Sequence, residues 1–366
     1  MVSQQKLVIP STISPEEDSL ISSSSPGGVA NIFPKTVEDA EKVEELLASE
    51  MESMSLEERD KILFDIHGFS EDRQDEEEEA TLNELLETMD VKVNKLRGKK
   101  HEVYRQAKYV NEAYVTDRTF RLMFLRSERY DPKLAAERFV AHFAIKRHLF
   151  GPGAILGRDV RLSDLSKDDM ETLECGFLQI LPSRDASGRT VIAIAPTHRK
   201  SKTLHNVARA MWYFIMTNNR RDEEMQKKGF VLIVYNQGKP PCGTTGEVGF
   251  VRMLNQLRQG LPKKVQGCHF CGLDPSLRIF VSGLRLFVAK ELRKRMKQHA
   301  GSYSEISFKL QTFGINAEDQ PLMEDGTLSL MWHQEWLRIC KAQEEEEECN
   351  NASASNTGII LPRRFD

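Results

Sequence analysis

The chain has 366 residues, of which 40% are hydrophobic and 29% charged, a composition that suits two or three folded domains with cores of ordinary size. Its formal net charge of −4 hides an asymmetry, because acid is concentrated in Glu71–Glu79 and Glu344–Glu348 and the region between them is more basic. Six scattered cysteines do not form a disulfide framework, and no secretory signal or uncharged apolar run of about 18 residues is visible. These features predict a reducing, cytoplasmic compartment and exclude a membrane-spanning protein.

The N-terminal hundred residues divide into a disordered arm and accessory helices. Residues 1–35 are rich in Ser and Pro and predict disorder. Residues 36–100 predict accessory helices joined by an acidic linker. Within them, Ser55 and Glu58 make a capping box, and Gly68 stands where a helix stop is expected.

Residues 101–160 predict a helical lobe. Asp131 followed by Pro132 supplies an N-cap residue and a proline at the first helical position, where its missing N–H costs nothing. Apolar residues follow at helical spacing up to Gly151.

Residues 161–315 predict strands that alternate with helices. The predicted helices are Thr203–Lys228 and Val248–Leu261, and the predicted strands are Phe177–Leu181, Thr190–Ala195, Phe230–Tyr235 and Val265–Gly272. The first two strands are joined by a segment with the composition of a hairpin turn. The later β-α-β order favours parallel pairing. The fold class predicted is therefore α/β, with an N-terminal helical lobe followed by a mostly parallel β-sheet flanked by helices, and with disordered termini.

The most distinctive segment follows the last of these strands. Between Ile279 and Val288 the single charge is Arg285, whereas Lys290–Lys297 contains five basic residues and one acid. A helix that is apolar nearly all round lies in a core, at a membrane interface or over an apolar ligand. The cationic run beside it suits an anionic surface. A core helix followed by a solvated helix is the plain alternative.

The C-terminal region predicts a docking segment over residues 316–343 and a disordered acidic tail over residues 344–366. Trp332 and Trp336 lie four residues apart, which is one helical turn, and are expected to dock this helix on the domain.

Patterns that would indicate catalysis or metal binding are weak. Cys268 and Cys271 form a C-x-x-C inside a predicted strand, where alternation sends them to opposite faces, a poor geometry for zinc or redox chemistry. The loop at 238–246 lacks the phosphate-loop pattern, and its paired prolines remove N–H groups that a phosphate would need. An enzyme that uses Lys239 on a nucleotide or phosphate is the third reading. The basic cluster His198–Lys202 lacks interleaved aromatic residues, so no nucleic-acid partner is expected.

One stretch carries a family resemblance. Phe124–Gly151 resembles the N-terminal helical motif of the CRAL-TRIO family, the retinaldehyde- and tocopherol-binding proteins and phosphatidylinositol transfer proteins. The residues that fit the motif are Phe124, Leu125, Arg126, Asp131 and Ala135 or Ala136. Downstream, Asp185–Val191 is similar to the family's "D--GRPV" strand entry, although Thr190 replaces the proline, and Phe230–Gly238 is similar to its central strand.

The resemblance implies an apolar pocket floored by the sheet and closed by a mobile gate helix, here Ser276–Val288. The residues it implies for the gate are Phe280, Leu284, Phe287 and Val288. Trp212 and Tyr213 on the long predicted helix are expected to line the pocket, and a plain core position is the alternative for both. The residues expected to meet a headgroup or an anionic membrane are Arg278, Arg285, Lys290, Arg293, Lys294, Arg295 and Lys297. For Arg278 and Arg285, which are seven residues apart on one helical face, extension toward solvent is the alternative.

The resulting expectation is a non-enzymatic protein without a cofactor or metal. It would bind, and possibly transfer, a hydrophobic lipid such as a phosphoinositide, and it would associate reversibly with anionic membranes from the cytoplasm. The alternative is an interaction scaffold with a CRAL-TRIO-like fold and a collapsed pocket, which would bind a protein partner through its N-terminal helices.

Overall fold

A computed structural model describes residues 34, 36–68, 78–201, 203–236, 245–272, 276–316 and 318–356. The predicted disordered arm, most of the first acidic run, the loop that contains Lys239 and the last ten residues lie outside this part of the chain.

The described residues contain fifteen α-helices, numbered here in chain order. The first seven are α1 (Val37–Glu52), α2 (Leu56–His67), α3 (Glu79–Lys95), α4 (Lys99–Val110), α5 (Glu112–Thr116), α6 (Arg118–Ser127) and α7 (Pro132–Phe150). The other eight are α8 (Lys167–Glu174), α9 (Leu204–Arg221), α10 (Glu223–Lys228), α11 (Thr245–Gly260), α12 (Ser276–Phe287), α13 (Lys290–Lys294), α14 (Tyr303–Gln311) and α15 (Met331–Asn356).

The helix termini follow the caps read from the sequence. Ser55 and Glu58 form the predicted capping box at the start of α2, and Gly68 ends that helix with a left-handed φ of 73°. Asp131 caps α7, with Pro132 at its first position. The predicted helix Thr203–Lys228 is instead two helices, because Asp222 leaves helical geometry and its side chain accepts a hydrogen bond from the Met225 N–H, starting α10.

Five strands form one sheet in the order β1 (Leu178–Ile180), β2 (Thr190–Ile194), β3 (Phe230–Asn236), β4 (Val265–Gly272) and β5 (Met296–Ala300). The β1–β2 pair is antiparallel and the other three pairs are parallel, which confirms the α/β class and the mostly parallel sheet flanked by helices. Strand β5 was not predicted, because its sequence MKQHA is largely polar and it pairs on one side only, with β4.

Consecutive parallel strands lie side by side, so right-handed crossovers bring their helices to one face of the sheet. The apolar clusters agree with this rule, because α9, α11 and α12 pack on one face. Helix α14 packs on the other face through Ile306 and Leu310, against Val231 and Ile233.

The accessory helices α1 and α2 are packed on the sheet domain. Helix α1 lies against α12, and α2 lies against β4. The carbonyls of Asp65 and Ile66 near the end of α2 accept hydrogen bonds from Arg189, which is also paired with Asp185 at 2.6 Å. The turn that resembles the "D--GRPV" motif therefore holds the end of α2 beside the start of strand β2.

The acidic segment after residue 343 departs from the predicted disordered tail, since helix α15 continues to Asn356. Its glutamates find partners on the folded domain: Glu344 accepts hydrogen bonds from the Tyr213 hydroxyl and the Leu162 N–H, and Glu348 pairs with Arg161 at 2.8 Å. Trp336 docks the helix as predicted and donates a hydrogen bond to Asn218, whereas Trp332 is exposed.

Candidate functional site

Helix α12 lies directly on the sheet. Its residues Leu277, Val281 and Leu284 are buried against the strand residues Cys268, Phe270 and Met296. Phe280 and Val288 are partly buried in the same apolar cluster, and the side chain of Phe287 lies outside the part that the structure describes. The helix thus has the apolar inner face that the sequence predicts for a gate, and in this conformation that face is in contact with the strands.

Two of the residues implied for the pocket lie elsewhere. Trp212 and Tyr213 on α9 are buried in the core of the helical lobe, where Trp212 packs on His142. The Tyr213 hydroxyl donates to Glu344 at 2.7 Å, and burial is the first cause that raises its pKa. The structure therefore does not bring these aromatic side chains together with the inner face of α12.

The outer side of α12 is covered by α1. Glu44 accepts hydrogen bonds from Ser282 at 2.8 Å and, with both carboxylate oxygens, from the Arg285 guanidinium. Arg285 also donates to the Met296 carbonyl at 2.7 Å, while its buried Nε has no partner among the described atoms. Arg285 is therefore turned neither to solvent nor to a free surface; a glutamate and a strand carbonyl hold it.

The same pairing extends along both helices. Arg278 lies 3.4 Å from Glu41. Farther along, Glu50 pairs with Lys290 at 3.3 Å and with the buried Arg293 at 3.1 Å. Four of the seven cations predicted to meet an anionic membrane are thus paired with three glutamates of α1.

The remaining three predicted cations lie around α13 and β5. Arg295 is buried and bonded to Asp65 of α2, and Lys294 is 3.9 Å from the neighbouring Glu291. Lys297 is half-buried, and burial followed by the charge of Arg285 lowers its pKa. A membrane surface therefore has direct access to few of these charges in the conformation observed.

A cavity of about 350 Å³ lies beside the junction of α12 and α13. Its walls include Leu292 and three cations: Arg138 of α7, Arg258 of α11, and Lys263 on the approach to β4. Burial lowers the pKa of Lys263 to about 7, and the charges of Arg138 and Arg258 add to the effect. The buried Nε of Arg258 has no hydrogen-bond partner in the described part of the chain. This cavity therefore gathers positive charge that nearby acids do not fully neutralise.

A larger cleft of about 1340 Å³ is open and polar, and it runs between α2, α6 and α10. Most of its lining is charged, including Arg118, Arg126 and Lys228. It is not a continuation of the apolar cluster under α12, and neither of these two cavities lies between α12 and the strands.

The C-x-x-C pair behaves as strand geometry requires. Cys268 belongs to the apolar cluster under α12, and Cys271 belongs to the cluster on the opposite face. Burial raises the pKa of both thiols, that of Cys268 to about 12, so neither is a ready thiolate. Within the described ranges, no three His, Cys, Asp or Glu side chains are grouped so that they could hold a metal ion.

A pair of buried histidines was missed by sequence analysis. The Nδ1 of His269 and the Nε2 of His299 are 2.9 Å apart, and both rings contact Phe313. Burial, followed by nearby positive charge, lowers the pKa of His299 to about 4, and burial places that of His269 well below its usual value. The pair forms across β4 and β5, so the missed fifth strand concealed it.

The glutamates of α1 were also missed. Glu41, Glu44 and Glu50 lie in the region of the predicted accessory helices, and their partners lie more than 230 residues away in the sequence. The sequence did contain a signal for these ion pairs, because a strongly basic segment in a chain of net charge −4 favours acidic neighbours or an acidic partner.

No protein-family model matches this chain, and no curated protein matches it either. None of the described helices combines the length and the apolar character that crossing a bilayer requires.

Proposed function

We propose that this chain binds a hydrophobic lipid ligand beneath α12, without catalysing a reaction, and associates reversibly with anionic membranes from the cytoplasm. The observation that supports the proposal is the two-sided character of α12. Its inner face is an apolar row of Leu277, Val281 and Leu284 on an apolar strand surface, whereas polar contacts hold its outer side. A helix built in this way can leave the strands and expose an apolar floor without breaking the sheet.

The resemblance of Phe124–Gly151 and Asp185–Val191 to CRAL-TRIO proteins supports the same function, because that family binds lipids behind a gate helix. Burying an acyl chain gains about 0.8 kcal/mol per CH₂ relative to water, so a 16-carbon chain approaches roughly 13 kcal/mol before costs. Extraction from a bilayer gains little of this, so the pocket must be as apolar as the membrane and specificity must come from the headgroup.

The cation-lined cavity at the α12–α13 junction offers a place for such a headgroup. Arg258 and Arg138, the latter paired with Glu128, carry guanidinium groups suited to phosphate oxygens, and a phosphate beside Lys263 would favour the protonated form of that lysine. A phosphorylated headgroup there would lie next to Leu292, at the foot of the gate, with its acyl chains directed beneath α12.

Lipid uptake by purified protein tests the proposal. Wild type should carry a lipid that native mass spectrometry detects, and it should take up a fluorescent phospholipid. Val281→Trp, which adds bulk between α12 and the strands, should abolish that uptake. Ile306→Trp is the matched control, because Ile306 is similarly buried against the other face of the sheet. Equal uptake by the two variants, or none by wild type, would contradict the proposal.

The second candidate is an interaction scaffold with a collapsed pocket. It is favoured by the direct contact of Leu284 and Val281 with the strands and by the position of both described cavities outside that contact. A variant whose α12 has been released from α1 distinguishes the two functions. Released protein that still takes up no lipid would favour the scaffold.

A further inference from the structure

Helix α1 presents its acids to the cations of α12 and α13 much as an anionic lipid surface would. Glu41, Glu44 and Glu50 each pair with one or more of these cations. We propose that α1 is a built-in competitor of anionic membranes, which occupies the cationic side of the gate and is displaced when a negatively charged lipid surface binds there. This inference rests on the proposed function and adds its regulation.

The burial of the cations supports competition rather than simultaneous binding. Arg293 has 8% of its side chain exposed and Arg285 has 11%, so lipid headgroups cannot reach them while α1 is in place. Each guanidinium also has a buried Nε without a partner in the described chain. Removal of α1 would therefore uncover charged groups that retain unused donors.

The way α1 is attached makes it separable from the rest of the fold. The side chains that α1 buries fully are small, Ala40 and Val43, so charged contacts make up much of its hold. Helix α2, by contrast, is fixed to the sheet domain through Asp65, which is bonded to the buried Arg295. A turn of three residues, 53–55, joins the two helices. Helix α1 can therefore leave α12 while α2 remains in place.

An anionic membrane fits this surface better than an acidic protein segment does. Arg278 and Arg285 lie on α12, whose other residues are almost all apolar, and the basic α13 follows directly; amphipathic segments of this composition bind at the interface of negatively charged bilayers.

Vesicle sedimentation with charge-neutral variants tests the competition. We expect E41Q/E44Q/E50Q to bind phosphatidylserine-containing vesicles at least about fivefold more tightly than wild type, a typical coupling between competing states. Binding to pure phosphatidylcholine vesicles should not increase to the same extent. The control E45Q/E52Q/E57Q changes the net charge equally but alters exposed acids of α1 and α2 that have no ion pair among the described residues. Equal gains by the two variants would overturn the proposal.

Hydrogen exchange gives a second readout. On anionic vesicles the amides of α1 in wild type should lose protection while those of α2 keep it. Unchanged protection of α1 in vesicle-bound protein would overturn the inference. The inference would also be overturned if a polyglutamate peptide bound E41Q/E44Q/E50Q and anionic vesicles did not, because that result would assign the surface to a protein partner.

Failure of this inference can be told apart from failure of lipid binding. Val281→Trp fills the proposed pocket and changes none of the residues that pair with α1, so the exchange response of α1 to anionic vesicles should remain. No lipid uptake by wild type, with an intact exchange response of α1, would contradict only the pocket. Normal lipid uptake with no exchange response would contradict only the competition.

Discussion

Asp65 is the anchor of the accessory helices, and its replacement by Asn tests how firmly they are held. The carboxylate is 2% exposed and accepts from Nε of Arg295 at 3.2 Å, from Nη2 of the same side chain, and from Arg129 at 2.9 Å. Asn keeps the volume and one acceptor oxygen but removes the negative charge. Arg295 would then be left buried with only the largely exposed Glu291 as an ionic partner.

The expected loss of stability follows from the burial of Asp65 and Arg295. Removing one partner of a buried ion pair costs about 3–5 kcal/mol, because the other charge stays buried without compensation. The contact with Arg129 adds little, since 41% of that side chain is exposed and solvent screens the charge. With one acceptor oxygen retained, we expect Asp65→Asn to lower the free energy of unfolding by about 3 kcal/mol, the low end of that range.

Urea denaturation followed by tryptophan fluorescence measures this change. Asp60→Asn is the matched control, because Asp60 lies on the same helix, is exposed and has no ion pair among the described residues. Asp60→Asn should change the free energy of unfolding by less than about 0.5 kcal/mol. If the two variants unfold at the same urea concentration with equal slopes, the buried ion pair does not hold α2 and this reasoning is wrong.

Three further predictions concern other parts of the molecule. Burial lowers the pKa of His299 to about 4, so this side chain is neutral in the folded protein. The stability that depends on the neutral form should be fully present above pH 6.5, and the free energy of unfolding should fall by up to about 3 kcal/mol as the pH falls from 6.5 to 4. The urea midpoint should decline less over this pH range in His299→Gln than in wild type. Glu344→Ala should lower the free energy of unfolding by about 1–3 kcal/mol, since the carboxylate accepts hydrogen bonds from a buried tyrosine hydroxyl and a backbone N–H, whereas the exposed Glu345→Ala should have almost no effect in the same assay. Iodoacetamide should label the exposed Cys349 of native protein well before the buried Cys268, as peptide mass spectrometry would show, and equal rates would mean that α12 opens frequently.

Local features of the fold were predictable from the sequence because local chemistry determines them. The capping box at Ser55, the proline after Asp131 and the β-branched run of β3 each specify an element through neighbouring residues. The C-x-x-C could be placed correctly for the same reason, since strand alternation alone separates Cys268 from Cys271.

Long-range pairing could not be predicted in this way. The pairing of Glu44 with Arg285 depends on how α1 packs against α12, and neither side chain has a local pattern that identifies its partner. Strand β5 is defined by hydrogen bonds to β4 rather than by its own polar sequence. The continuation of α15 through its glutamate run likewise depends on Arg161 and Tyr213, which lie far from it in the chain.

The order of synthesis separates α1 and α2 in time from their ionic partners. These partners are encoded as many as 243 residues downstream. At a ribosomal rate of about 5–20 residues per second, roughly 12–50 seconds pass before Arg285, Arg293 and Arg295 emerge. During that interval the apolar side chains and the acids of α1 have no partner in the nascent chain, so the newborn protein exposes to chaperones a segment that is paired in the mature fold.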